Sequence, residues 1–494
     1  MSKARNTLDQ IATGLLPDPT GMENKRLTSS GTVPQWHDMS GLRFQDINRD
    51  GHGYRFDLAL GFDGRVYIWG YNNNHNTAGA GQGKHIQGFE EVCIPVDYDV
   101  QKVTQFGGMA QNGYVLFDNG DLWGWGWNNR GQCGTGNTSP VQVPTLAHTG
   151  VLELCLPRSE AYHHEYGMVY IRKSDGWYGF GANANFSRFG DGYTTANVST
   201  PRKLGDLPDG GAITRLWNLG NHRGCTYALS EHGNLYGVSD NGYGCLGIGN
   251  ASVQSTWQLI PLAGNSVKDI MGGYTYHSGA YSGYMSTAFL LTDGMVKTVG
   301  SNLWGQLGRT TAGDSHSIVD TGLTGIDELY SIGGGPLSLY ATVPTRDKIY
   351  VWGHNAQGQL GIGNTANQWT PQQIDITYKR LWIDPFQNGH TYGWYQPVYL
   401  EKDNGDIWSV GANSYGVLMT GDATNRNVFT KTLFSSKRIK KICTNNDGNG
   451  SLSWVHVLLD DGTLYGAGYG GTYGVLGLYN SHVISPNYIS RRML

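Results

Sequence analysis

The sequence predicts an all-β fold, a β-propeller built from four-stranded blades. A motif of the form DG-x-(L/V)-(Y/W)-x-(W/V)-G-x-N-x-x-G recurs eight times in the 494 residues. The copies follow one another about every 57 residues, a period typical of solenoids and propellers. The composition agrees, because 74 glycines, 30 tyrosines and 15 tryptophans suit short strands and tight turns.

Each repeat unit contains the same four elements in the same order. A first strand ends at a Gly-Gly turn, as in 102–108, and a second strand follows, as in 112–117. A DG turn leads into a third strand with the aromatic-x-W-G element, and a loop rich in Gly and Asn precedes a Pro-containing fourth strand. Four short strands per unit are typical of a propeller blade. The motif copies begin at Phe62, Asp118, Ser174, Glu231, Thr292, Thr345, Asp403 and Asp460.

The number of copies predicts eight blades, with seven as the alternative. The first copy lacks a G-Q-L-G ending, and the third is one residue shorter before Asn183. Pro-containing segments also occur before the first motif, at 33–36, and after the last, at 485–489. We therefore expect one terminus to complete the blade that holds the other, which would close the ring without an open edge.

Two stretches carry a resemblance to a known family. SNLWGQLG (301–308) and NAQGQLGIGNT (355–365) match almost every position of the signature of the regulator of chromosome condensation repeat family. The likeness extends over about residues 33–494, so we expect residues 1–32 to be an arm outside the ring. The resemblance implies a propeller, usually of seven blades, that serves as a binding platform.

Within the motif, most side chains have a predicted structural role. The glycines after the aromatic element are expected to allow close approach of backbone. The asparagines that follow are expected to satisfy backbone groups of the loop, and the tryptophans to be wedges between blades. These residues are Gly70, Gly126, Gly300, Gly353 and Gly411, then Asn72, Asn128, Asn183, Asn241, Asn302, Asn355 and Asn413, and Trp69, Trp125 and Trp352.

The N-terminal segment has a different pattern. Leu8, Ile11, Leu15 and Leu16 recur at helical spacing, and Pro17 would end such a helix. A helix of about ten residues is unstable alone and needs a surface to cover its apolar stripe. We expect it to dock either on the propeller or on another protein of an assembly, followed by a polar arm that reaches residue 32.

Composition also excludes several classes of protein. A net charge of -4 with 15% charged residues argues against nucleic-acid binding. No apolar run is long enough to span a membrane, and the N-terminus lacks the apolar core of a secretory signal. The six scattered cysteines are expected to be free thiols. We expect the protein in the cytoplasm or in a virus particle.

One stretch has the spacing of a calcium-binding loop. Asp46, Asn48, Asp50 and Asp57 occupy ligand positions 1, 3, 5 and 12 of such a loop, with Gly51 at the sharp turn. The alternative is a turn rich in Asp and Gly between two strands. No other cofactor is expected, and no catalytic motif occurs in a suitable setting, so the sequence predicts a non-enzymatic protein.

A ring of side chains is predicted at equivalent positions just before the loop glycine. Aromatic and arginine side chains at these positions are typical of interface hot spots and of platforms on which sugars stack. The alternative is that each ring packs on a neighbouring loop. This rim comprises Tyr243, Trp304, Tyr415, Tyr473 and Arg130, with Gln357 at the same position of another copy.

Three functions are compatible with these features. The first is a structural or host-recognition component of a virus particle, such as a tail or receptor-binding protein, because the Gly/Asn/Tyr-rich and weakly charged composition is similar to that of virion proteins. The second, implied by the family resemblance, is guanine-nucleotide exchange on a small GTPase. The third is glycan binding through the aromatic rim, since hydrolysis would need a carboxylate pair that the sequence does not show. Fold likeness alone does not choose among them.

Overall fold

The computed structural model consists of β-strands joined by turns and loops. It describes residues 25–28, 35–38, 42–49, 56–70, 86–92, 94, 103–109, 112–157, 167–183, 188–193, 197–220, 224–239, 241–262, 266–276, 283–310, 313–332, 338–383, 397–434, 438–446, 453–469 and 483–488. The strands form eight four-stranded sheets and one two-stranded hairpin. The prediction of eight blades is confirmed, and the alternative of seven is wrong.

Every blade is an antiparallel meander of four consecutive strands. The first four blades contain β3–β6 (Phe44–Arg49, Phe56–Gly61, Val66–Gly70, Ile86–Glu91), β7–β10 (Val103–Met109, Asn112–Phe117, Leu122–Gly126, Val141–His148), β11–β14 (Glu153–Cys155, Met168–Lys173, Gly176–Gly181, Val198–Lys203) and β15–β18 (Ile213–Asn218, Thr226–Ser230, Leu235–Ser239, Gln254–Leu259). The last four contain β19–β22 (Val267–Tyr276, Gly283–Leu291, Val296–Gly300, Ser315–Asp320), β23–β26 (Glu328–Ile332, Ser338–Thr342, Lys348–Gly353, Gln368–Asp375), β27–β30 (Arg380–Trp382, Val398–Glu401, Ile407–Gly411, Arg426–Lys431) and β31–β34 (Ile439–Asn446, Ser453–Leu459, Leu464–Gly468, Val483–Tyr488).

The two chain ends do not share a blade. The segment at 485–489 overlaps β34, the fourth strand of the last blade, whereas the segment at 33–36 leads into a separate hairpin. That hairpin pairs β1 (Lys25–Thr28) with β2 (Gln35–Asp38). The expectation that one terminus completes the other's blade is therefore wrong, because each sheet already has four strands of its own. The helix predicted at residues 8–16 lies outside the described residues.

First strands contact one another at four joints, β3 with β7 and β31, β11 with β15, and β19 with β23, as expected of strands at the centre of the ring. Side chains on these inner strands bridge the joints between blades. Lys268 Nζ lies 2.8 Å from Asp327 Oδ1 between blades five and six, and Arg215 lies 3.3 Å from Asp269 between blades four and five. Exposed pairs of this kind contribute about 1 kcal/mol or less each, so they orient the joints more than they stabilise them.

The motif asparagines organise the loops between third and fourth strands, as predicted. Asn355 is fully buried, its Oδ1 accepts the amide of Leu360, and its Nδ2 donates to the carbonyls of Asn364 and Ala366. One amide side chain thus holds both ends of a long loop. The same bond to the amide five residues on is made by Asn128, Asn183, Asn241, Asn302 and Asn413. Asn72 lies outside the described residues.

The loops of blades two to six each dock on the outer strand of the next blade. The loop of blade four forms a bridge between Ile248 and Ser317, and that of blade six a bridge between Ile362 and Val428. The backbones meet so closely that only glycine fits at the contact. A Cβ on Gly305 would lie 2.5 Å from Gln368 O and 2.8 Å from Trp369 Cα, and its φ is +84°.

The predicted tryptophan wedges are also confirmed. Trp69, Trp125 and Trp352 are fully buried. The indole of Trp352 donates to Gln306 O in the loop of the preceding blade, at 3.1 Å. Trp69 meets the ring of His456 edge-on across the joint between the first and last blades, with ring centroids 5.4 Å apart. The wedges therefore combine apolar burial with contacts specific to each joint.

The ring closes through side-by-side contact of the first and last blades. Phe44 N donates to Gly462 O at 2.9 Å, and Lys441 Nζ donates to Ile47 O at 2.6 Å. In the interior of this joint, the Trp454 indole donates to the buried carboxylate of Asp57 at 3.0 Å. The closure is a joint of the same kind as the others, and it requires no exchange of strands.

Gly305→Ala tests whether the loop contact stabilises the ring. We expect a loss of about 3 kcal/mol or more in the free energy of unfolding, because the new Cβ must displace the backbone of the next blade. Gly249→Ala is the matched control, since Gly249 also has a φ of +84° but a Cβ placed there would meet nothing within 4 Å. The control should lose only the about 1 to 2 kcal/mol of left-handed strain. Urea unfolding that gives equal losses would contradict the loop contact.

A second prediction concerns the histidine at the ring closure. Burial lowers the pKa of His456 to about 3, so the folded protein keeps it neutral while the unfolded chain takes up a proton below its ordinary value of 6.5. The contribution of this histidine to the free energy of unfolding is therefore fully present above pH 6.5 and decreases as the pH falls toward 3. We expect the wild type to lose about 2 kcal/mol more than His456→Gln between about pH 7 and pH 5.

Urea unfolding at the two pH values measures this difference. Substitution of His316 by Gln serves as the control for the loss of an exposed imidazole. Equal slopes for the wild type and His456→Gln would show that this histidine is not held neutral by the fold.

Candidate functional site

The antiparallel blades give the ring two different faces. Loops between third and fourth strands lie at the same end of the blades as the connections between first and second strands. We call this end the loop face. The DG turns and the linkers from blade to blade lie at the opposite end, the turn face. All of the predicted rim residues that the structure describes belong to loops of the loop face.

The rim side chains lie at the joints between blades. Trp304 is half-buried and meets His354 of the next blade edge-on, with ring centroids 6.3 Å apart. Tyr415 meets Tyr469 of the next blade in the same way at 5.3 Å. Each of these two rings therefore packs on its neighbour and still leaves part of its surface to solvent. Tyr473 lies outside the described residues.

The other rim positions are held just as firmly. Gln357 Oε1 accepts a hydrogen bond from Asn425 Nδ2 of the next blade at 2.7 Å. The amides of Arg130, Trp304 and Gln357 each donate to the side chain of the glutamine two residues on. Arg130 and Tyr243 are half-buried as well. The side chains of Trp304, Tyr415 and Gln357 are therefore preorganised, which lowers the entropy lost when a ligand binds.

The DG turns and the loops just before the rim differ in their exposed charged groups. Every blade carries an exposed carboxylate at its DG turn, namely Asp63, Asp118, Asp175, Glu231, Asp293, Asp347, Asp403 and Asp460. In contrast, the exposed loop residues just before the rim are the uncharged Gly242, Leu303, Ala356 and Ser414.

Charged groups in the loops bond within their own face. Arg426 pairs with Asp422 at 2.5 Å, and Arg309 donates to Gly313 O. The Arg426–Asp422 pair is neutral as a unit, so the exposed groups next to the rim are mainly aromatic, amide and hydroxyl groups, with Arg130 as a cation of the rim. Such a surface suits a neutral ligand better than a polyanion.

A set of buried tyrosines supports these loops, and it was not predicted from the sequence. Tyr114 in the second strand of its blade donates its hydroxyl to Gln132 O, 18 residues on, at 2.8 Å. Burial raises the pKa of the Tyr340 hydroxyl well above its ordinary value, so these groups stay protonated donors. The sequence feature that could have predicted them is a tyrosine that recurs in the second strands of the blades. The other members are Tyr170, Tyr227, Tyr340 and Tyr399.

The residues of the predicted calcium loop lie on paired strands. Asp46 and Asn48 belong to β3, and Asp57 belongs to β4, which runs antiparallel to it. Asp46 Oδ1 lies 3.1 Å from Lys441 Nζ, and Asp57 accepts the Trp454 indole. Asp50 lies outside the described residues. Among the described residues, no three His, Cys, Asp or Glu side chains form a group that could hold a metal ion. Calcium binding stays a prediction.

No helix in the described part of the chain is long and apolar enough to cross a membrane.

Comparison with known proteins agrees with the fold. The family model described as "Regulator of chromosome condensation (RCC1) repeat" matches residues 119–150 and 346–384. The chain is 26% identical over 349 residues to the ultraviolet-B receptor UVR8 of Arabidopsis thaliana, which covers 68% of this chain and 71% of the receptor. It is 25% identical over 391 residues to the human E3 ubiquitin-protein ligase HERC2, covering 78% of this chain but 7% of the ligase.

A solved structure shows the same architecture. Prp20p of Saccharomyces cerevisiae superposes with a TM-score of 0.51 at 17% identity, over 76% of this chain and 87% of that protein. At this identity the likeness shows the fold alone. The family model thus matches two stretches of this eight-bladed propeller, and the chain is similar in its repeat motif and fold to proteins with regulator of chromosome condensation repeats.

Proposed function

We propose that this protein is a non-enzymatic binding platform that recognises its partner through the loop face. The observation that carries the proposal is the rim, where half-exposed aromatic side chains sit at blade joints amid uncharged loops. Aromatic groups held in place by neighbouring blades are effective anchors, because little conformational entropy remains to be lost on binding.

The chemistry of the rim favours a surface glycan or a glycosylated receptor as the ligand. Sugar rings stack on aromatic faces, and their hydroxyl groups pair with amide and hydroxyl side chains. A net charge of -4 with a 15% share of charged residues supports an uncharged ligand over a nucleic acid.

Within this general role, we propose a structural or host-recognition part of a virus particle, such as a tail or receptor-binding component. The Gly- and Tyr-rich composition and the N-terminal segment with its apolar stripe support this proposal. The platform would then be attached to the particle through residues 1–32 and would present the loop face outward. In a cell without particles, the same protein would reside in the cytoplasm.

Relatives with the same repeats are consistent with a role in interactions between proteins. Prp20p was solved together with a study of its binding to Gsp1p and histones, and in a second structure the yeast protein is bound to Kap60. Guanine-nucleotide exchange remains the alternative implied by the family resemblance. It predicts that the chain accelerates nucleotide release from a small GTPase, a result that would contradict the recognition role.

Replacing two rim residues tests the recognition surface. Trp304→Ala with Tyr415→Ala should weaken binding to the glycan or cell surface at least tenfold, because both stacking surfaces are lost. Phe62→Ala is the matched control, since Phe62 is an aromatic residue on the turn face with 51% of its surface exposed.

Binding is measured on a glycan array and on intact host cells, with and without periodate oxidation of the surface sugars. Urea unfolding of each variant separates lost binding from lost folding. Undiminished binding of a folded double variant would remove the rim from the recognition surface.

Removing residues 1–24 tests the attachment role of the N-terminal segment. The shortened chain keeps the hairpin of β1 and β2 and should unfold at the same urea concentration as the full chain. It should bind glycan unchanged but be missing from purified virus particles when these are analysed by mass spectrometry. Its presence there at the normal level would contradict an attachment role.

A further inference from the structure

Four joints between blades share a backbone contact on the turn face. In each, the linker leading into one blade donates an amide to the DG-turn carbonyl of the blade before it. The bonds are Val151 N to Gly120 O, Ile326 N to Gly294 O, Tyr378 N to Arg346 O and Phe44 N to Gly462 O, all between 2.9 and 3.0 Å. We call this bond the clasp. Because it joins two backbones, it fixes the distance between neighbouring blades at this face.

The joint between blades three and four has no clasp. The turn of blade three contains only Ser174 and Asp175, because Lys173 pairs directly with Gly176. This shorter turn lacks the carbonyl that accepts the clasp elsewhere. Over residues 174–176 and 204–213, all of which the structure describes, no backbone hydrogen bond joins the turn to the linker.

The linker itself is divided between the two blades. Its first residues belong to blade three, since Leu204 N donates to Trp177 O. Its last residues belong to blade four, since Glu231 N donates to Ala212 O and Asp209 accepts bonds from Ser230 and Asn234. Across the gap on the turn face, the Trp177 indole donates to Ile213 O at 3.2 Å.

A cleft of about 680 Å³ opens between these two walls. The wall of blade three carries three cations and one carboxylate, whereas the opposite wall carries two carboxylates. The side chains are Arg172, Lys173, Lys203 and Asp175 on the first wall, and Asp206 and Glu231 on the second. Arg172 lies 3.0 Å from Glu153 and Lys203 lies 3.9 Å from Asp175, all within blade three, so little uncompensated charge is left to draw the walls together.

Hydrogen bonds connect blades three and four along their inner strands and on the loop face. Tyr170 and Thr226 share a buried hydrogen bond of 2.8 Å, and Asn218 Nδ2 donates to Met168 O at 3.0 Å. On the loop face, Gly192 N donates to Ser255 O at 2.9 Å. The joint is thus fixed on the loop face and along the inner strands, whereas its turn face lacks the clasp. There the two blades are held by the buried apolar side chains of Trp177, Leu204 and Leu207 and by the Trp257 indole, which donates to Gly205 O at 2.9 Å.

We propose that the joint between blades three and four is a hinge at which the ring opens and closes on its turn face. The two blades rotate about the Tyr170–Thr226 contact, and the Trp177–Ile213 bond limits the opening. Rotation changes the spacing of the loops of these two blades on the opposite face. A partner bound to the loop face therefore shifts the equilibrium between the open and closed joint. A ligand bound in the cleft shifts the spacing of the loops in turn.

Distances between the tips of neighbouring turns test the hinge in the full chain. Spin labels are attached to ketone-bearing residues at Ser174 and His232, the turn tips of blades three and four, which leaves the six native cysteines untouched. Labels at Thr292 and Thr345 report on blades five and six, whose joint has a clasp. Pulsed electron resonance then gives the distance distribution of each pair.

We expect the distribution across the hinge to be at least twofold broader than the one across the clasped joint. Trp177→Phe removes the limiting bond and should broaden it further. Trp352→Phe removes an indole bond across the clasped joint, to Gln306 O of the preceding blade on the loop face, and should leave the width between the turn tips there unchanged because the clasp remains. Equal widths for the two pairs in the unmutated protein, or no response to Trp177→Phe, would overturn the proposal.

Discussion

The constraint on which the whole structure depends is the joint between one blade and the next. A four-stranded antiparallel sheet has two faces, and a single blade cannot bury either alone. Three kinds of contact between neighbouring blades bury these faces. Side chains bridge the inner strands, tryptophans pack between the blades, and glycine-containing loops lie on the outer strand of the next blade. Backbone atoms that would lie 2.5 Å and 2.8 Å from a Cβ at Gly305 leave no room for any other residue.

The same joints produce the candidate recognition surface. Trp304 and Tyr415 are each held by an aromatic residue of the neighbouring blade, so the packing of blade on blade also positions these candidate binding residues. Buried tyrosines and asparagines fix the loops from below. In the proposed function, recognition and stability therefore share residues, and the proposed hinge between blades three and four lets the ring move without losing its loop face.

The fold could be predicted from the sequence because the same blade motif occurs eight times. Gly353, Asn355 and Trp352 have roles that follow from spacing and residue type, since positive φ, loop bonding and apolar burial are local properties. The closure was predicted wrongly because Pro-containing segments at 33–36 and 485–489 look alike, and pairing between distant strands leaves no local signal. Likewise, the partial burial of Tyr415 depends on Tyr469 of another blade, which no motif reveals.

The most direct test of this account is the urea unfolding of a chain that ends at residue 434 and so lacks the last blade. If the ring is held by its joints, the loss of one blade removes two of them, including the contact of Asp57 with Trp454. The account predicts a large fall in the urea midpoint of all seven remaining blades together, seen as lost near-ultraviolet circular dichroism. A shortened chain that unfolds at the same urea concentration as the full chain would contradict it.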